Sequence, residues 1–214
     1  MENGNGLRFT MNVGRKIFAK PWLTIGAPDN KDDIPFGPTS QKRLAFSLFL
    51  AVITMLFVLL GAAYYMRMEL PDWTPLSEPR ILWFNTLGLI LSSITFQWAR
   101  ISVDRGNVDA VFVLLVLAGV TAFAFVLGQL LAWYEYVAGG YLVASTPAAS
   151  FFYLLTALHG LHLVGGLVVW LLTIASMWGG ASLGDVRLRI ELCAVYWHFL
   201  LLVWIVMFGL LLST

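Results

Sequence analysis

The chain has 214 residues, 59% of them hydrophobic and 12% charged, with 13 Lys and Arg against 12 Asp and Glu; its mean hydropathy is +0.81. This balance excludes a soluble domain, a basic nucleic-acid face and an acidic tail, and points to an integral membrane protein. Cys193 is the only cysteine, which excludes an internal disulfide, a thiolate metal cluster and a CxxC redox pair.

Residues 1–42 are rich in Gly, Asn, Pro and charge, with prolines at 21, 28, 35 and 38. They read as a polar tail without the apolar core and cleavage site of a signal peptide, so insertion is expected to rely on the first span. Within the tail, Pro21-Trp22-Leu23-Thr24-Ile25-Gly26 is an apolar cluster suited to anchoring on a partner or at lipid headgroups. The remainder, 43–214, is expected to be a transmembrane domain.

Five runs are long and apolar enough to cross a bilayer, at 44–66, 81–99, 109–134, 148–177 and 190–212, given roughly twenty residues per crossing. Short links at 67–80, 100–108, 135–147 and 178–189 make sequential helices antiparallel, so the fold class is all-α, an up-down bundle of five transmembrane helices. Seven basic residues from Arg8 to Arg43 precede the first span, Arg100 and Arg105 lie in the second link, and Arg187 and Arg189 in the fourth; Arg67 and Arg80 fall on the other side. Retention of positive charge in the cytoplasm puts the N-terminus inside and, after five spans, the C-terminus outside. Trp73, Trp83, Trp98, Trp133 and Trp178 sit near the expected span ends, where amphipathic rings favour the interface.

Polar residues inside the spans are few. Asn85, Ser92 and Ser93 in the second span offer interhelical hydrogen bonds, and Ala124, Gly128 and Ala132 in the third form a small-residue stripe for close helix packing. Gln129 shares that helix, and Glu135 follows near its end. The fourth span carries Thr156-Ala157-Leu158-His159-Gly160-Leu161-His162-Leu163-Val164-Gly165-Gly166, and the fifth Tyr196-Trp197-His198-Phe199.

His159, His162 and His198 are the only histidines. A spacing of three puts His159 and His162 on one helix face, with Ala157, Gly160, Gly165 and Gly166 leaving room for a neighbour. At 1.5 Å per residue, His162 lies roughly 15 Å and His198 roughly 12 Å from the inner boundary, a matching depth that would suit axial ligation of a haem. Arg187 and Arg189 would then meet the propionates. The same rings are equally served by backbone carbonyls, hydroxyls or lipid headgroups, and this structural reading is preferred. Glu191, about two turns before His198, suits proton handling, pairing with Arg187 by i,i+4 spacing or contact with a lipid amine, and the ion pair is the preferred reading. The span interiors lack a chain of carboxylates for a proton relay, and no inverted repeat suggests a transporter.

The fourth-span motif, followed by Glu191, Tyr196-Trp197-His198-Phe199 and Val203-Trp204, closely resembles subunit III of the haem-copper terminal oxidases. Asn85-Thr86-Leu87 with Ser92-Ser93 and Trp98-Ala99 resembles that family's preceding helix, and Gln129 with Tyr134-Glu135 its middle one. The similarity covers about 43–212 and fits the five-helix bacterial form. It implies an accessory subunit of the bacterial plasma membrane, with no catalytic centre, haem or copper of its own. Haem and copper are expected in partner subunits, with subunit I and the other oxidase subunits as neighbours and cytochrome c as electron donor to the complex. It implies bound phospholipids as well, and a structural or lipid-contacting role for His159, His162, Glu191 and His198.

Three positions depart from the family pattern. Carboxylates usual in the family are replaced by Ile53, Ala132 and Leu201, which argues against carrying over functions that depend on them. The alternatives are subunit III of a quinol oxidase or nitric oxide reductase assembly, and, in another class, a membrane haem b carrier using His162 and His198.

Overall fold

A computed structural model describes residues 38–76 and 80–213; most of the expected 1–42 tail, including the Trp22 cluster, lies outside them. Every regular element among the described residues is an α-helix, in the order α1 (Pro38–Met68), α2 (Ile81–Asp104), α3 (Val108–Ala138), α4 (Pro147–Trp178) and α5 (Leu183–Leu212). All five are long and apolar enough to cross a membrane. By its contacts the chain divides into Met1–Leu44 and Ala45–Thr214; of the former only 38–44, the first turns of α1, are described.

The helices outrun the hydrophobic spans because polar residues start them beyond the apolar stretch. α5 begins at Leu183 rather than 190, where the Ser182 hydroxyl accepts from the Asp185 backbone N–H and the Asp185 carboxylate accepts from the Ser182 N–H, a reciprocal capping box. The side chain of Asn107 accepts from Ala110 N at 3.1 Å to start α3. That of Thr146 accepts from Ala149 N at 3.2 Å to start α4, with Pro147 in its first turn. Gly140 and Gly180, with φ of 86° and 84°, take the left-handed conformation just past α3 and α4 and turn the chain. Ser182→Ala is expected to cost about 1 kcal/mol locally, read as faster amide exchange over 183–187 with the remaining helices unchanged.

Packing within 45–214 follows heptad-like seams. In α1 the buried Ile53, Phe57 and Tyr64 continue through the partly buried Phe46, Leu50 and Leu60, alternating steps of four and three along a narrow stripe. Most of the rest of α1 is exposed, with Val52, Met55 and Met66 all outside the core. In α3 the same rhythm buries Val111, Leu115, Ala118, Ala122, Phe125, Gln129, Ala132 and Tyr136. α2, α3 and α5 thereby share a core in which Leu82, Leu89, Phe96, Leu115, Trp197 and Trp204 are fully enclosed. The stripe expected at Ala124, Gly128 and Ala132 is only partly packed: Gly128 and Ala132 are buried, whereas Ala124 is exposed. A step of four drifts about 40° from the true helical period, which rotates Ala124 out of the seam.

The α1–α2 link is tied by Arg67, whose Nη1 donates to Asp72 Oδ1 at 2.6 Å. That hydrogen bond holds the exposed Asp72 carboxyl below its ordinary pKa, so the tie is complete above the ordinary carboxylate range and is lost as the pH falls through the depressed value. Trp83, Trp98 and Trp178 are exposed near helix ends, while Trp73 and Trp133 are half-buried.

Candidate functional site

Cross-helix hydrogen bonds fix how the polar residues are presented. Ser92 Oγ donates to Ala118 O at 2.8 Å, joining α2 to α3. Trp133 Nε1 donates to Thr156 Oγ1 at 3.0 Å and Trp170 Nε1 to Leu115 O at 2.8 Å, joining α3 to α4. Trp204 Nε1 donates to Thr86 Oγ1 at 2.9 Å, joining α5 to α2. A tryptophan inside a span brings one N–H that lipid cannot satisfy. That signal marks Trp133, Trp170 and Trp204 as helix ties, a role the sequence reading did not give them.

The three histidines occupy different surroundings. His159 is fully buried, its ring 5.7 Å from Phe125 of α3, 5.2 Å from Trp204 of α5 and 6.4 Å from Phe57 of α1. Neither of its nitrogens finds a hydrogen-bond partner among the described residues. His162 is half-buried on the α1 side, its ring 5.5 Å from Phe57 and its Nδ1–H donating to Leu158 O at 2.6 Å. It lines a groove of 550 Å³ with Phe46, Phe49, Gly165, Cys193 and Tyr196; the Tyr196 hydroxyl donates to His162 O at 2.9 Å.

His198 faces α2. Its Nε2–H donates to Gln97 Oε1 at 3.1 Å, and in that tautomer Nδ1 accepts from the Ser93 hydroxyl. Toward the common end of α2 and α5, Arg187 Nη2 meets Asp104 Oδ1 at 2.7 Å, and Arg100 lies 3.8 Å from Glu191. Where spacing pointed to Arg187–Glu191, the bundle offers these cross-helix partners. Arg189 Nη1 donates to Ser176 Oγ at 2.9 Å.

The glycines of the histidine motif also differ from one another. A Cβ on Gly166 would lie 2.8 Å from both Trp197 and Tyr196, so α5 does approach closely there; Gly160 and Gly165 meet nothing within 4 Å. Ala157 is exposed.

A haem held between His162 and His198 does not fit this arrangement. The two rings lie in different seams, one toward α1 and the other toward α2, and both nitrogens of His198 are already engaged within the chain. Among the described residues no three His, Cys, Asp or Glu gather as a metal-binding group.

The family model for cytochrome c oxidase subunit III matches residues 39–212, which takes in all five helices. The chain belongs to the cytochrome c oxidase subunit III family. Relatives include a probable cytochrome c oxidase subunit 3 of Mycobacterium leprae, 34% identical over 123 residues, covering 58% of this chain and 61% of that protein. Cytochrome c oxidase subunit 3 of Thermostichus vulcanus is 27% identical over 178 residues, covering 79% and 86%. That of Synechocystis sp. is 29% identical over 184 residues, covering 80% and 75%. The chain thus spans about three fifths of the length of the mycobacterial relatives it matches.

Within this family, subunit III is an accessory chain of a haem-copper oxidase and does not carry the redox centres, and this chain is a multi-pass membrane member. Of the three apolar positions singled out in the sequence, Ile53 and Ala132 are buried and Leu201 is half-buried against the core.

Proposed function

We propose that this chain is the non-redox subunit III of a respiratory oxidase in a bacterial plasma membrane, stabilising the catalytic subunit of a complex that takes electrons from cytochrome c, reduces oxygen to water and builds a proton gradient. The observation that carries the reading is the match of one family model across all five helices. A chain of this kind contributes surface rather than chemistry. Much of α1, α3 and α4 is lined with exposed large apolar side chains, available to lipid and to partner helices.

Phospholipids are the second partner proposed. The groove between α1, α4 and α5, with His162 and Tyr196 on its wall and Gly165 and Gly166 on its floor, suits an acyl chain. His159, His162, Glu191 and His198 act structurally, by packing and hydrogen bonding, around these surfaces. The N-terminus is assigned to the cytoplasm because Lys42 and Arg43 lie in the opening turns of α1, while Arg100 and Arg105 sit at the C-terminal end of α2 and Arg187 and Arg189 in the opening turns of α5.

Affinity purification from native membranes in mild detergent tests this reading. Haem- and copper-bearing chains are expected to co-purify, with the separated subunit colourless. A chain purified alone with its own bis-histidine haem spectrum would overturn it, and the co-purifying chains identify the electron donor.

A further inference from the structure

Asn85 on α2, Gln129 on α3 and His159 on α4 share one level of the bundle. Phe125, one turn before Gln129, packs against both His159 and Trp204, and Trp133, one turn after Gln129, bonds Thr156 on the turn before His159. These contacts bracket Gln129 at the height of His159. Gly128, the residue beside Gln129, receives Asn85 so closely that a Cβ there would fall 1.9 Å from Asn85 Oδ1. Thr86, the residue after Asn85, takes the Trp204 bond. All three side chains are at least nine-tenths buried, at 5%, 5% and 0% exposure. Asn85 Nδ2, Gln129 Nε2 and Oε1, and both ring nitrogens of His159 have no hydrogen-bond partner among the described residues.

Five such atoms from three helices at one depth form a concentration of hydrogen-bonding capacity that hydrocarbon surroundings make costly to leave unused. The ligand must be small, because the layer is enclosed by Phe57, Phe125 and Trp204. It must both donate and accept, because the amides present donors, Gln129 Oε1 is an acceptor, and a neutral imidazole presents one of each. A cation is disfavoured: the layer holds no carboxylate, and the described residues hold no three-residue metal group. Dioxygen or an acyl chain would leave every one of these atoms unsatisfied. We infer that Asn85, Gln129 and His159 enclose a binding site for ordered internal water, bridging α2, α3 and α4 inside the membrane-spanning bundle.

X-ray radiolytic hydroxyl labelling of the purified full-length chain, read by mass spectrometry, tests this directly, because buried side chains are labelled only where water is held beside them. Phe125 and Phe152 are both 1% exposed and chemically alike, so they form an internal comparison. Phe125 and Trp204 are expected to label several-fold faster than their burial allows, with Phe125 well ahead of Phe152. The Gln129→Leu variant, which removes two of the polar atoms at similar volume, is expected to lower labelling at Phe125. Equal, slow labelling of Phe125 and Phe152 in the unmodified chain would overturn the site and mean that the amides and imidazole satisfy one another directly.

Discussion

Gly119→Ala is expected to destabilise the bundle by about 3 kcal/mol, the upper end of ordinary overpacking, although it adds a single methyl group. The new Cβ would lie 1.9 Å from Trp170 Cζ2 and 2.4 Å from Cε2 and Cη2. The indole has little freedom to yield, because it is buried and its Nε1–H donates to Leu115 O, one turn before Gly119 on the same face of α3. The ring therefore lies across the glycine and ends on the carbonyl beyond it, so moving it costs packing and a hydrogen bond together. Gly160→Ala is the matched control, since nothing lies within 4 Å of its added methyl; in a helix interior it should be neutral or gain up to about 1 kcal/mol. Reversible unfolding in mild detergent compares the two. Equal midpoints would refute the role given to the Trp170–Gly119 contact. Adding Trp170→Ala to Gly119→Ala should cost less than the two changes summed, because the clash exists only when both side chains are present.

The glycines show where sequence reasoning ran out. Gly160 and Gly165 stand beside the histidines and invite attention, yet they face open space, while Gly119 has no motif around it and carries an approach as close as that at Gly128. Hydropathy made all five helices legible because each bilayer crossing needs its own apolar run. It missed the first two turns of α5 because Ser182 and Asp185 start that helix with charge and hydroxyl outside the apolar stretch. Depth along a helix was legible too, but rotation about its axis was not. Residues three apart differ by about 60° around an ideal helix, enough to put His159 in the core against Trp204 and His162 at the α1 groove. His162 and His198 matched in depth for the same reason and diverged in direction, one toward Phe57 and the other toward Ser93 and Gln97. Only the neighbouring helices set that angle, through contacts such as Trp204 to Thr86 that join distant parts of the chain.

Trp204→Ala is expected to be at least as damaging, on the order of 3–5 kcal/mol for a large buried aromatic. Trp204 is fully buried, with its ring centroid 4.9 Å from Phe125 and 5.2 Å from His159, and stacked on Phe208 at an interplanar angle of 7°. Inside a membrane, helices gain little from leaving lipid, so close packing carries most of their association; a cavity between α2, α3 and α5 strikes at that contribution. Trp204→Phe separates packing from hydrogen bonding. It keeps an aromatic ring in the seam and removes the donor to Thr86 Oγ1, whose own hydroxyl still donates to Leu82 O at 2.8 Å. Its expected cost is about 1 kcal/mol, in the range of interhelical bonds in bilayers. Unfolding of both variants in the same detergent orders them, and the recovery of oxidase partners after purification provides a second readout. If Trp204→Phe proves as costly as Trp204→Ala, the hydrogen bond to α2 is the main tie and the aromatic seam is secondary. If only Trp204→Ala fails, the bundle is held at this level by the shape of the Phe125–Trp204–Phe208 cluster, with the bond to Thr86 fixing the indole's orientation within it.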